Sequence, residues 1–264
     1  MHILCVVKFV PDVDTFSYDY ENHTIHRGGS TMLLNPDDAC AIGFALQMKK
    51  RDPQTSIEVV TMAPKSITPL LEDILRVGVD TSTLIADPLF AGSDTYVTSK
   101  ILSRYLAHAC YDVILTGTHA IDGDTSHVPS QIAQVLDLDY LGNIHAIDRE
   151  RFSSNHAQVE VEDENAITTY EVAMPAVLGL SREASYRLPY VRYKNLHLDV
   201  SPRMQHISNK ELGFLADEVG LQGSRTQVVT TYTKVYEKRK KQIVAPDENG
   251  LEVVYAFLKS NGFI

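Results

Sequence analysis

The stretch Thr116-Gly117-Thr118-His119-Ala120-Ile121-Asp122-Gly123-Asp124-Thr125-Ser126 combines small residues, two glycines, two carboxylates and several hydroxyls. It stands directly before a helix-like run from Val128 to Leu136. Backbone amides at such a helix start can hold a phosphate, and the hydroxyls of Thr125 and Ser126 can add donors. Asp122 and Asp124 would repel that phosphate if they pointed inward, so orienting the loop or binding ribose hydroxyls suits them better. The same residues also make an ordinary capped strand–helix loop, and spacing alone does not choose between the two. His119 and His127 flank the loop, and none of the ten histidines has metal-ligand spacing. The chain has no GxGxxG after its first apolar run, no GxxxxGK[ST] and no GxSxG. These absences argue against a standard dinucleotide dehydrogenase, a P-loop ATPase and a nucleophile-elbow hydrolase.

The elements around this loop alternate. Ile3 to Val10 is a near-continuous apolar run, as expected of a strand buried on both faces, and Ser56–Met62, Thr83–Ala86 and Asp112–Thr116 repeat the pattern. A helix is expected after Asn35-Pro36-Asp37-Asp38. There Asn35 can cap, Pro36 suits the first turn, the two carboxylates favour the positive helix end, and Lys49-Lys50-Arg51 closes it. Further helices are expected from Thr68 to Val77, ending at Gly78, and after the Gly92-Ser93-Asp94 cap. Strands and helices alternating at this spacing imply a doubly wound α/β core with a mostly parallel sheet. Thr15 to Gly29 reads as an inserted hairpin. Beyond Gly142 the period changes to two, and Gln158–Val161 and Thr169–Val172 read as antiparallel strands before a buried strand at Pro175–Leu180. From 185 to about 246 the chain is polar and broken by prolines, too long an extension for one compact domain, so it is expected to wrap a partner. The expected division is therefore 1–184 and 185–264. A short amphipathic helix closes the chain, with Leu251, Val254, Tyr255 and Leu258 on one face.

Composition narrows the partners. The formal net charge of −10 disfavours nucleic acid and anionic membranes, and the basic run Lys238-Arg239-Lys240-Lys241 reads as a solvated linker. Three cysteines without CxxC spacing fit a reducing compartment, with Cys5, Cys40 and Cys110 all expected as small core residues. No apolar stretch approaches the roughly 20 residues of a membrane span, and no signal peptide is evident, so a cytoplasmic location is expected.

Taken in order, several motifs resemble the β (small) subunit of electron-transfer flavoproteins. They are Ile3-Leu4-Cys5-Val6-Val7-Lys8 with Pro11-Asp12, Leu34-Asn35-Pro36-Asp37-Asp38, Thr61-Met62-Ala63-Pro64 and Val77-Gly78-Val79-Asp80. Gly92-Ser93-Asp94-Thr95, the Ala120–Thr125 loop, Pro175-Ala176-Val177 and Leu188-Pro189 follow. The resemblance covers most of the chain. It implies a Rossmann-like fold of the adenine-nucleotide-hydrolase type, with antiparallel additions and an extended C-terminal arm embracing a larger subunit. It also implies a nucleotide site lined by Val6, Lys8, Asn35, Asp37, Asp38 and Met62, together with Gly117, Ala120, Asp122, Gly123, Asp124, Thr125, Ser126, His127 and Val128. Tyr186, Leu188, Pro189 and Tyr190 would form a recognition loop for partner dehydrogenases, of the acyl-CoA type or another, with Leu188 as anchor. The ligand would be FAD, toward which Asp37-Asp38 and the Asp-Gly-Asp-Thr loop lean, or AMP as the alternative, with a further FAD in the large subunit. A flavin would carry the electrons, so no catalytic acid, base or nucleophile is required. Three departures stand out: His127-Val128-Pro129-Ser130 where the family has Gln-Val-Gly-Pro, His119 for a common Gln, and a basic run reduced to Arg192, Lys194 and neighbours. A universal-stress-like or AMP-forming nucleotide-binding protein without redox role is the alternative reading.

Overall fold

Runs of Val, Ile and Leu too apolar to face water pair side by side and are covered by helices on both faces. The structure, a computed structural model, describes residues 1–12, 17–19, 24–26, 31–163, 166–226 and 243–264, with only the backbone for 17–19 and 24–26. In chain order, β1 (His2–Val6), β2 (Phe9–Pro11), β3 (Ser17–Asp19), β4 (Thr24–His26) and β5 (Met32–Leu34) precede α1 (Pro36–Arg51). β6 (Ser56–Met62), α2 (Thr68–Val77), β7 (Thr81–Ile85), α3 (Thr95–Leu106), β8 (Val113–Gly117) and α4 (Val128–Leu136) complete the alternating half. Then come β9 (Asp139–Phe152), β10 (His156–Asp163), β11 (Ala166–Ala173), β12 (Ala176–Leu180) and β13 (Met204–Ile207), with the short α5 (Asn209–Leu212) and α6 (Gly220–Gly223). The first apolar run is two strands rather than one. β1 ends at Val6, and β2 leaves the sheet to pair antiparallel with β5. The expected hairpin is present as the antiparallel pair β3–β4; the basic run 238–241 lies outside the described residues.

One nine-stranded sheet has the order β11-β10-β9-β12-β8-β1-β6-β7-β13. β9 through β13 in that order run parallel, while β9, β10 and β11 form an antiparallel meander. β9 was not anticipated as one strand: it is long enough to pair with β12 first and β10 afterwards, through register shifts. The two faces bury separate apolar clusters. Ile3, Cys5, Ile57 and Val59 pack with α1 and α2 residues, whereas Leu4, Val6, Val60 and Ile114 pack with those of α3 and α4. Connections from β1 thus step one way through α1, and the return to β8 crosses the opposite face. The order of strand addition reverses between β1 and β8, and the crevice at such a switch is where an open α/β sheet binds ligands.

Part of the segment after 184, expected from its polarity to wrap a partner, packs on the chain's own sheet. β13 adds in parallel to β7, and Ile207 and Phe214 enter the α3-side core, so the compact unit runs from Met1 to Val229 and Thr230–Ile264 forms a second. Within the second unit α7 (Glu248–Ser260) is capped by Asp247 and leaves Leu251, Val254 and Tyr255 exposed. Cys110 is exposed, unlike Cys5 and Cys40. It lies in the turn after α3 rather than within the helix. No helix among the described residues is long and apolar enough to cross a membrane.

Asp94 ties the last part of the first unit down. One oxygen caps α3 through the Val97 amide (3.0 Å); the other accepts the Arg225 amide (2.8 Å), the Thr226 amide (2.9 Å) and the Thr226 hydroxyl (3.0 Å). Asp94→Ala should therefore cost about 2 kcal/mol, at the upper end for a lost helix cap. It should also expose residues 224–226 to limited proteolysis, which peptide mapping would detect.

Candidate functional site

The motif Asn35-Pro36-Asp37-Asp38 is the hub of the switch point. Its three polar side chains are buried, and they serve the neighbouring strand tips rather than their own helix. Asp38 accepts the Lys8 amide on one oxygen (2.9 Å) and the Gly117 amide on the other (2.6 Å), clamping the ends of β1 and β8 together. Asp37 accepts the His119 and Arg182 amides (both 3.3 Å), reaching the end of β12 as well. Asn35, expected to cap α1, makes no capping bond. Its amide group donates to His119 O (2.8 Å) and accepts from Ile121 N (3.2 Å), suspending the 117–127 loop from the start of α1. Gly117 permits this closeness: a Cβ there would lie 2.6 Å from Asp37 Cβ and from Asp38 Oδ1.

Burial sets the electrostatics. It pushes the Asp38 carboxyl up to about 7, against the opposing pull of the Lys8 and Gly117 amides and the Asn35 side chain. Burial raises Asp37 too, restrained by the His119 and Arg182 amides and the His119 ring. His119 is built into this cluster. Its Nδ1 lies 3.1 Å from Asp37 Oδ2 and its Nε2 3.9 Å from Asp124 Oδ1. Lys8 reaches over the loop to Asp122 at 2.6 Å.

The far side of the loop is open. Residues 123–127 are exposed, and a Cβ on Gly123 would meet nothing within 4 Å. Asp124 and Ser126 adopt left-handed φ angles of 47° and 51°, uncommon for residues with side chains and characteristic of functional turns. His127 follows in the right-handed region and gives α4 no side-chain cap. Left- and right-handed residues in succession turn consecutive amides to one side, forming a concavity for an anion. The amides of Thr125, Ser126, His127 and Val128 have no partner among the described residues. Pro129 has no amide to lose, and it is buried in the first turn of α4. Val6, Met62 and Val128 belong to one apolar cluster on the α3/α4 face, at the strand tips beside this loop. Thr116, on that same face, keeps a buried hydroxyl without a partner among the described residues. An apolar wall and turned amides are what an adenosine phosphate needs, so the residues present fit such a ligand.

The candidate recognition residues divide. Tyr186 turns inward: its ring lies 5.0 Å from Phe44 and its hydroxyl accepts the Ile147 amide (2.9 Å). Leu188 is half-buried against the same core. Pro189 is exposed and Tyr190 is 96% exposed, and Tyr193, unnoticed in the sequence, is 87% exposed. A cleft of about 320 Å³ beside them is lined by Arg76, Arg192 and Lys194. Arg76 of α2 reaches the same cleft, with its guanidinium held by Glu72 (3.0 Å) and Asp73 (2.9 Å). A second groove, lined by Lys50, Arg51 and Arg149, lies at the opposite end of α1 from the loop.

Fold and crevice together define a doubly wound α/β protein with a polar crevice at its strand-order switch. The model of the electron transfer flavoprotein domain matches residues 23–187. Subunit CarD of the caffeyl-CoA reductase-Etf complex of Acetobacterium woodii is 32% identical over 237 residues, covering 88% of each chain. The electron transfer flavoprotein subunit beta of Thermoanaerobacterium thermosaccharolyticum is 31% identical over 90% of each chain. Protein FixA of Azotobacter vinelandii is 29% identical over 98% of this chain and 93% of its own. The chain belongs to the electron transfer flavoprotein family. It is a small (β) subunit, a component of an electron carrier, and the universal-stress-like alternative is not favoured.

Proposed function

We propose that the β1/β8 crevice holds an adenine nucleotide, FAD in preference to AMP, and that the chain works beside a large subunit carrying a further FAD. The observation that carries this is the row of amides from Thr125 to Val128, without partners among the described residues, in a turn where Asp124 and Ser126 are left-handed. A phosphate accepts from such amides at the start of α4, while Val6 and Met62 offer an apolar wall to the base. Asp37 and Asp38 hold the crevice's shape through backbone amides. FAD is favoured over AMP by the exposed rim at 123–127, which leaves room for a ligand extending past its phosphates. A bound flavin supplies one- and two-electron exchange, with the protein adjusting its potential.

The partner dehydrogenase docks at the segment around 186–190. Pro189 and Tyr190 are its presented residues, and the basic cleft beside them suits an acidic surface. Membership of CarD in a caffeyl-CoA reductase-Etf complex favours an acyl-CoA-type donor. The last part of the chain, with the exposed apolar residues of α7, packs on the large subunit. Denaturing the purified heterodimer should release two FAD per heterodimer, measured by chromatography and absorbance. One FAD with one AMP would overturn the FAD assignment, and no adenine nucleotide at all would overturn the site.

A further inference from the structure

The loop that would receive a phosphate carries more negative charge than positive. Asp122 and Asp124 both lie on it, and Asp37 and Asp38 stand behind it. Among the described residues, Lys8 is the only Lys or Arg side chain bonded to residues 117–127, and its ammonium is engaged by Asp122 at 2.6 Å. The two partners are unequal. The Lys8 side chain is 48% exposed, whereas that of Asp122 is 8% exposed. Lys8 is fixed at its backbone, its amide on Asp38 and its carbonyl accepting the Asn35 amide (3.0 Å), while its long side chain remains free to swing. Asp122 has no second polar contact among the described residues.

Resting on the nucleotide reading above, we propose that Lys8 and Asp122 form a displaceable ion pair through which the site reads the ligand's phosphate charge. In the absence of phosphate, Asp122 neutralises the ammonium. An arriving phosphate group, with about two negative charges on AMP or across the two phosphates of FAD against the carboxylate's one, takes Lys8 from Asp122 and joins it to the loop amides. Lys8 is then a specificity residue that rewards a phosphorylated ligand over the bare nucleoside, and Asp122 is its competitor. A competitor and a ligand contact differ in sign. Removing the charge of Asp122 should tighten binding, whereas loss of a ribose contact or of a loop brace should weaken it.

The test uses the heterodimer stripped of nucleotide, with AMP and adenosine as titrants by calorimetry at low and high salt. Lys8→Met should weaken AMP binding about tenfold, the value of one charge-assisted hydrogen bond, and leave adenosine within about twofold. It should also reduce the salt dependence of AMP binding. Asp122→Asn should tighten AMP about threefold or more, with adenosine unchanged. Weakening of AMP by both substitutions, or loss of adenosine affinity in Asp122→Asn, would overturn the displaceable pair while leaving the nucleotide site standing. Failure of the wild-type heterodimer to bind either titrant would instead overturn the site itself. Circular dichroism of each variant separates these outcomes from misfolding, and Lys8→Arg, which keeps the charge, should retain most of the AMP affinity.

Discussion

Asp38→Asn is expected to flatten the dependence of folding stability on pH between about pH 4 and pH 7. Burial pushes this carboxyl from an ordinary value of 3.8 up to about 7 in the folded chain. Across that window the native state keeps a proton that the unfolded state has lost, so the native state binds more protons. Stability then falls as pH rises from about 4 to about 7 and is level above. The separation corresponds to a swing of order 4 kcal/mol from this one group. Asparagine carries no charge at any pH, so its penalty does not grow. Relative to wild type, Asp38→Asn should look similar near pH 5 and gain stability as pH rises to 8. It still presents an amide hydrogen toward one of the two donors that Asp38 accepts, which limits the gain. Denaturant unfolding of both proteins at pH 5, 6, 7 and 8 measures the difference. An identical slope in the two proteins would show that Asp38 does not titrate in this window.

The same residue illustrates what a sequence can and cannot convey. Asn35-Pro36-Asp37-Asp38 is legible as a helix start because proline at the first turn and carboxylates near the positive end are local preferences. The helix does begin there. Yet the side chains serve residues 30 to 145 positions away, at Lys8, Gly117, His119 and Arg182, and no local pattern encodes such partners. The alternating half of the fold was legible for a related reason. Apolar runs buried on both faces, and turns such as Gly78 at φ 128°, are properties of short segments. β13 was not legible, because an edge strand of four residues with two exposed carries no periodic signal, and its pairing with β7 is purely tertiary. Similarly, β9 opens with residues that alternate poorly, since it changes partners along its length. In the 117–127 loop the residue types suit a phosphate turn and an ordinary cap equally. The left-handed backbone angles of Asp124 and Ser126, which favour the proposed phosphate turn, have no sequence signal of their own.

Gly43→Ala should destabilise the chain by roughly 2–3 kcal/mol, although alanine normally improves a helix interior by about 1 kcal/mol over glycine. Gly43 sits mid-helix in α1 with an unremarkable backbone, so its absent side chain matters through space. A Cβ there would lie 2.4 Å from Tyr186 O, 2.8 Å from Tyr186 C and 2.9 Å from Arg187 C. These are backbone atoms of the segment leading to the recognition loop, and they cannot rotate out of the way as a flexible side chain would. The alanine must push that segment off α1. The Tyr186 ring would then leave Phe44, and its hydroxyl the Ile147 amide that it accepts. A buried amide left without its acceptor adds to the steric cost. Displacement should carry Leu188, Pro189 and Tyr190 with it, while the Asp38 clamp on Lys8 and Gly117, about one and a half turns earlier on α1, stays in place. The expected result is a heterodimer that keeps its bound nucleotide but accepts electrons from its dehydrogenase about tenfold less efficiently in kcat/KM. Thermal unfolding with nucleotide quantitation, followed by steady-state reduction kinetics, checks both halves. Wild-type kinetics in a destabilised Gly43→Ala protein would separate the seat of the segment on α1 from dehydrogenase recognition.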